Sequence, residues 1–183
     1  MSTYADPSKA MLWLDGDAFR APAGTAVPAD IFAATLVGWE AFGGIQAGYV
    51  VDRPRAVEEL EIWNADGTYR LKKDQEKPLI TIRPVDMSKA TALTLLTGGS
   101  VVATNGGFRW DEGEEEQFAL IVRALDGTTT KHAHYVEKGE LSNRPSGTYN
   151  DQQLMGWDME IKPLVPDSGG KPIIPFTLTN PLA

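Results

Sequence analysis

The chain contains no cysteine, which removes disulfides, thiolate zinc sites and cysteine nucleophiles at once. Histidine is nearly absent: only His132 and His134 occur, so the commonest general base and metal ligand is scarce. Positive charge is also in short supply. The 17 basic side chains face 25 acidic ones, giving 17 − 25 = −8 and a pI of about 4.8. A protein built to grip nucleic acid normally carries the opposite sign. The longest clean apolar run, Phe118-Ala-Leu-Ile-Val122, falls far short of the roughly 20 residues that cross a bilayer, so no membrane role is expected. The opening Met1-Ser-Thr-Tyr-Ala-Asp-Pro7 has neither a basic start nor an apolar stretch. No secretory signal is read there, and synthesis in a cytoplasm is expected.

What is present points to one β-rich domain. A length of 183 residues can bury a core without staples, and a charged fraction of 23% argues against wholesale disorder. Eighteen glycines and twelve prolines cut the chain into short pieces, which favours strands. Residues 1–44 read as an irregular arm and loops with isolated anchors, Trp13, Phe19, Phe32, Trp39 and Phe42. Residues 45–162 read as the β core. In it, 45–51 and 79–83 are expected strands, and 57–63 with 69–73 form a hairpin across Asn64-Ala-Asp-Gly67. That alternation places Leu60 and Ile62 on one face, Glu59 and Glu61 on the other, and makes Trp63 and Trp157 look buried.

The single helix is expected over about 87–97, capped by Asp86 or Ser88, with Ala92, Leu93, Leu95 and Leu96 as its contact surface and Gly98 as its stop. Residues 118–125 are apolar on both faces apart from Arg123, which suits a central strand, and Asp126-Gly127 turns the chain into 128–138. Met155, Trp157, Met159 and Ile161 alternate with Gly156, Asp158, Glu160 and Lys162 as a half-buried strand should. Residues 163–183 hold Pro163, Pro166, Pro172, Pro175 and Pro181. Such a tail suits an edge strand or an arm on a neighbouring surface.

Catalytic chemistry finds little to use. His132 and His134 share one face of a strand, but Glu137 falls on the other and no third metal ligand stands at useful spacing. Two ordinary surface histidines fit better. No serine sits in a G-x-S-x-G elbow. Gly43-Gly-Ile-Gln-Ala-Gly48 lacks the Lys-Ser/Thr of a phosphate loop and precedes a strand, not a helix. Asp15-Gly-Asp17 lacks the further ligands of a calcium loop. Asp111-Glu-Gly-Glu-Glu-Glu116 puts five acids in six positions, a solvated loop or a patch that repels something anionic. The sequence therefore predicts no enzyme, no cofactor and no metal.

Three segments resemble a known family. Asp6-Pro-Ser-Lys-Ala-Met-Leu-Trp-Leu-Asp-Gly-Asp-Ala-Phe-Arg-Ala-Pro-Ala-Gly-Thr25 is similar to the opening of major tail tube proteins of long, non-contractile-tailed bacteriophages, particularly those of actinobacteria. Gly38-Trp-Glu-Ala-Phe-Gly-Gly-Ile-Gln-Ala-Gly48 and Arg83-Pro-Val-Asp-Met-Ser-Lys-Ala-Thr-Ala-Leu-Thr-Leu-Leu-Thr-Gly-Gly99 resemble its next two blocks, in order. The resemblance implies an antiparallel β-sandwich or barrel-like tail tube fold with one packed helix and extended N- and C-terminal arms. It implies subunits in hexameric rings stacked around a tape-measure protein, with tail terminator and distal tail proteins at the ends and DNA passing without specific binding. The virion tail, assembled in a bacterial host, is the implied location.

Within that reading, acids facing the channel would keep DNA sliding, since duplex DNA carries about one charge per 1.7 Å of axis. The lumen candidates are Glu59, Glu61, Asp111, Glu112, Glu114, Glu115 and Glu116. Candidate subunit or ring contacts are Trp13, Phe19, Trp39, Phe42, Pro172 and Pro175. Two other readings compete. A tail-completion or head–tail joining protein would form one ring and never stack, and a carbohydrate-binding β-sandwich would need exposed Trp and Tyr on a concave face.

Overall fold

The computed structural model describes residues 12–64, 66–128, 130–147, 149 and 151–180. Parts of the two expected arms, residues 1–11 and 181–183, lie outside the described residues. The main sheet is antiparallel throughout. In chain order its strands are β1 (Asp15–Pro22), β2 (Glu40–Ala41), β3 (Ile45–Asp52), β6 (Leu79–Pro84), β9 (Gln117–Asp126), β10 (Thr130–Leu141), β11 (Met159–Pro163) and β12 (Ile174–Thr177). They lie in the spatial order β2-β1-β9-β10-β11-β6-β3, with β12 beside β10. Two hairpins, β4 (Val57–Glu61) with β5 (Thr68–Lys73) and β7 (Ser100–Thr104) with β8 (Gly107–Asp111), form separate two-stranded ribbons. The helix α1 spans Lys89–Leu96.

The sheet curls, so β3 returns to lie against β1 without pairing to it. Its inner face holds the main core: Phe118, Leu120 and Val122 of β9, Val136 of β10, Met159 and Ile161 of β11, and Ile80 and Ile82 of β6. The outer face of β1, β9 and β10 is covered by the segment between β1 and β2, whose Ile31, Leu36 and Trp39 pack on Phe19, Ala119, Ile121 and Tyr135. Two layers over one sheet explain why 118–125 reads apolar on both sides. They also give Arg123 its place: buried on the outer face, it donates to the carbonyls of Ala33 (2.7 Å) and Ile31, pairs with Asp17 (2.6 Å) and stacks over Phe19. One guanidinium thus ties the covering segment to the strands beneath it.

Three expectations are corrected. Residues 15–22 are not loop: β1 pairs with β9 along its whole length, from Asp15↔Leu125 to Pro22↔Phe118. Phe42 is fully buried in the inner core, and Phe19 and Trp39 are buried in the outer one. These three side chains pack mainly inside the subunit. The helix buries Ala90, Thr91, Thr94 and Leu96, while Ala92, Leu93 and Leu95 are only half-buried. A buried threonine is tolerated there because Thr94 Oγ1 donates to the carbonyl of Ala90 at 2.8 Å. Ser88 caps the first turn, accepting from Thr91 N at 3.1 Å. The tail suits an edge as expected, with β12 pairing β10 from His132↔Thr177 to Tyr135↔Ile174.

Candidate functional site

Three features stand outside ordinary packing: the acidic loop, the two ribbons, and a cleft at one end of the curled sheet. The loop leads from β8 into β9 and is less free than its composition implies. The C-terminal end of α1 holds it: Gly113 N donates to the carbonyl of Leu96 and Thr97 Oγ1 to the carbonyl of Gly113, both at 2.8 Å. Gly113 and Gly99 lack side chains for a direct reason, since a Cβ on either would collide with the backbone of the facing segment. Glu116 pairs with buried Arg20 at 2.6 Å and accepts from Gly98 N at 3.0 Å. Asp111 takes both donors of Arg109 at 2.8 Å, and Glu112 lies 3.7 Å from Arg144.

Of the expected lumen acids, then, Glu116 and Asp111 serve structure. Glu59 accepts from Thr68 Oγ1 on the neighbouring strand. Glu61, Glu114 and Glu115 are exposed and carry no ion pair among the described residues. Arg20 sits over the Phe118 ring with its Nε and Nη1 unpartnered. Glu116→Gln should therefore leave a buried cation without its counter-charge and destabilise the subunit by about 3 kcal/mol, the usual cost of breaking such a pair. Chemical denaturation of Glu116→Gln beside Glu114→Gln measures this; equal midpoints for the two variants would refute it.

The ribbon β7–β8 turns through Asn105 and Gly106, both at positive φ (51° and 75°), the geometry of a two-residue turn between twisted strands. Its register places Val101 opposite Trp110 and Ala103 opposite Phe108, so these four share one face. The other face carries Ser100, Val102, Thr104, Arg109 and Asp111. All four are exposed, Phe108 to 75%. The β4–β5 ribbon is exposed along both strands, with Val57, Leu60, Tyr69 and Leu71 in water among its charges. Trp63, expected to be buried, is 98% exposed beyond the end of β4; the alternation was there, but the ribbon lies off the sheet that would have covered it. Trp157 is buried as expected.

A cleft of about 1000 Å³ opens where β1 and β3 part. Trp13, His132, His134 and Tyr49 stack along its wall, with ring centroids 6.1 Å, 4.6 Å and 5.9 Å apart in turn. The Tyr49 hydroxyl is 3.4 Å from His134 Nδ1, and His132 Nε2 is buried without a partner. The histidines are thus not ordinary surface residues. Burial, then the neighbouring His132 and Arg53, push the His134 imidazole down to about 4, and burial raises the Tyr49 hydroxyl to about 12. The unfolded chain binds a proton at His134 near pH 6.5 and the folded one does not, so stability falls as pH drops from 6.5 towards 4. Water at the open side of the cleft screens part of this effect. His134→Gln should have a flatter thermal-midpoint profile than the parent between pH 6.5 and 4, and parallel profiles would refute the assignment. No group of three His, Asp or Glu among the described residues is placed to hold a metal.

Of the expected contact residues, Trp13 and Pro175 lie on the surface and Pro172 is half-buried. No helix among the described residues is long and apolar enough to cross a membrane. Comparison with protein families finds a match over residues 5–173 to the model described as phage tail tube protein. No curated protein matches the chain.

Proposed function

Because the chain belongs to the phage tail tube protein family, we propose that it is the repeating subunit of the tube, forming hexameric rings that stack around the tape-measure protein and later conduct DNA. It is a structural protein of the bacteriophage virion, a component of the tail. The observation that carries the finer reading is the pair of ribbons outside the sheet. A two-stranded hairpin is marginal in water by itself, and the β7–β8 ribbon exposes a whole apolar face. Such a face marks an association surface, and in a tube subunit the partner for it is another copy. Trp13 and Pro175 remain as outward contact candidates.

The channel wall follows from charge. Six chains total 6 × −8 = −48 per ring, and a conduit that repels phosphate lets DNA slide. Glu61, Glu114 and Glu115 are the acids left to face it. Tail terminator and distal tail proteins would close the two ends. Negative-stain microscopy of the concentrated protein tests the reading: hollow tubes of variable length support it, and single rings that never stack point instead to a joining protein. Glu114→Lys with Glu115→Lys should leave tube length normal and slow genome ejection; normal ejection would remove these two acids from the channel.

A further inference from the structure

The β4–β5 ribbon is the far end of a longer hairpin. β3 runs into β4 and β5 runs back into β6, and β3 and β6 are themselves antiparallel partners. The β3–β6 ladder ends at Asp52↔Leu79, and the ribbon's ladder begins at Val57↔Lys73. Between them lies a joint with Arg53-Pro-Arg-Ala56 on one side and Asp74-Gln-Glu-Lys-Pro78 on the other. Beyond it both strands are exposed and pack chiefly on each other. The joint therefore decides where the ribbon points.

Its residues are those of a stiff connection. Pro54 and Pro78 interrupt the ladder, since neither has an N–H to donate. Each fixes its own φ and drives the residue before it, Arg53 or Lys77, to extended backbone. No glycine, the residue that suits a swivel, occurs on either side. Two backbone bonds cross the gap, Lys77 N–H to the Pro54 carbonyl and Asp74 N–H to the Ala56 carbonyl, both at 3.0 Å. Bonds of this kind run in the plane of a ladder. They hold the strands together and oppose bending out of that plane only weakly.

Arg55 supplies the missing brace. Its Nε donates to the carbonyl of Asp74 at 2.7 Å, the one side-chain bond across the gap among the described residues. A side chain rises from the face of a strand before it reaches over, so this bond lies off the plane of the other two. It is short and charge-assisted. With the N–H of Asp74 on Ala56, it fastens both polar backbone groups of one residue. We propose that Arg55 is a positioning residue: by bracing the joint it holds the β4–β5 ribbon at one angle to the main sheet, ready to meet a neighbouring copy. The link to a neighbour rests on the reading of the chain as a self-assembling tube subunit. A ribbon already set at its bound angle loses less freedom on association than one that must first be ordered.

The absence of native cysteine allows a direct test. Asn64→Cys at the turn of the ribbon and Lys162→Cys on β11, both exposed positions, take spin labels, and pulsed electron resonance on the dilute monomer measures their separation. Arg55→Met keeps a stem of similar length and removes the donor, whereas Arg55→Gln puts an amide nitrogen where Nε stood. The parent should give one narrow distance distribution, the methionine variant a broadened or displaced one, and the glutamine variant the parent's again. Thermal midpoints should agree among all three, because Arg55 belongs to neither core. Without the labels, the methionine variant should need roughly three- to tenfold more protein to begin forming tubes, the factor carried by one lost hydrogen bond, and the glutamine variant should restore the onset. A broad distribution in the parent would overturn the proposal, as would a methionine variant indistinguishable from it or a glutamine variant no better than methionine. Tubes from the methionine variant at the parent's concentration, despite a broadened distribution, would refute the role in assembly. A parent that forms no tubes at any concentration ends the tube reading, while the label distances still decide whether Arg55 sets the joint.

Discussion

Replacing Phe108 and Trp110 together with serine is expected to abolish tube formation while leaving the monomer folded. Both side chains belong to the apolar face of the β7–β8 ribbon, outside either core. Their removal therefore takes little from the stability of a single chain. In an assembled tube, a buried aromatic anchor contributes on the order of 2 kcal/mol or more to its interface. Two such losses amount to about 4 kcal/mol per contact, roughly a 1000-fold weaker association. Light scattering and negative-stain microscopy across a concentration series should show the onset moving beyond reach. Circular dichroism and the thermal midpoint should stay close to the parent's. Val102→Ser, on the polar face of the same ribbon, is the control and should assemble normally. Tubes from the double variant at the parent's concentration would mean that this face is not an interface.

The same ribbon shows where sequence reading stopped short. Asn105-Gly106 between Val101-Val102-Ala103 and Phe108-Arg109-Trp110 is a strong hairpin signal, and the flanking residues alternate as an amphipathic strand pair should. β1 failed for a different reason. Asp15-Gly-Asp17 looks like a turn, and the strand after it carries Arg20 among apolar neighbours because both of its faces are covered, one by the inner core and one by the segment through Trp39. A strand buried on both sides shows no period of two. By contrast, β11 was legible because its faces differ, with Met159 and Ile161 buried and Glu160 and Lys162 exposed, although the strand begins only at Met159 and the expected stretch from Met155 to Asp158 is not part of it. So was the β4–β5 hairpin, through its turn residues.

Burial itself was harder to read than secondary structure. Trp63 and Phe42 exchange the positions that local pattern gives them, one going out to water and the other to the centre. Neither outcome is decided by nearby residues. Trp63 is exposed because its ribbon has left the sheet, and Phe42 is buried because its N–H bonds to the carbonyl of Ala18 at 2.9 Å and pulls the ring into the inner core. The candidate site shared this difficulty. His132 and His134 were visible as a pair on one strand face, but Trp13 and Tyr49 join them only through the curl that brings β1 and β3 near β10.

Phe42→Ala separates these two views of one residue. As a core side chain with no exposed surface, its truncation should cost about 3–5 kcal/mol, through lost burial and the cavity left behind. For a domain of this size that lowers the thermal midpoint by roughly 6–20 °C, measured on the isolated monomer at low concentration. The loss should be largely recovered by Phe42→Leu or Phe42→Met, which refill much of the volume without restoring the ring. An intersubunit contact would behave in the opposite way: an unchanged monomer midpoint, with the defect confined to assembly. Since α1 also packs on this core through Ala90, and the C-terminal end of the helix holds Gly113 and Gly98 against the acidic loop, loosening Phe42 should raise hydrogen exchange at those two amides as well. Faster exchange there would tie the core to the loop that leads into the proposed channel surface, whereas unchanged exchange despite a lower midpoint would show that the loop's own bonds hold when the core loosens.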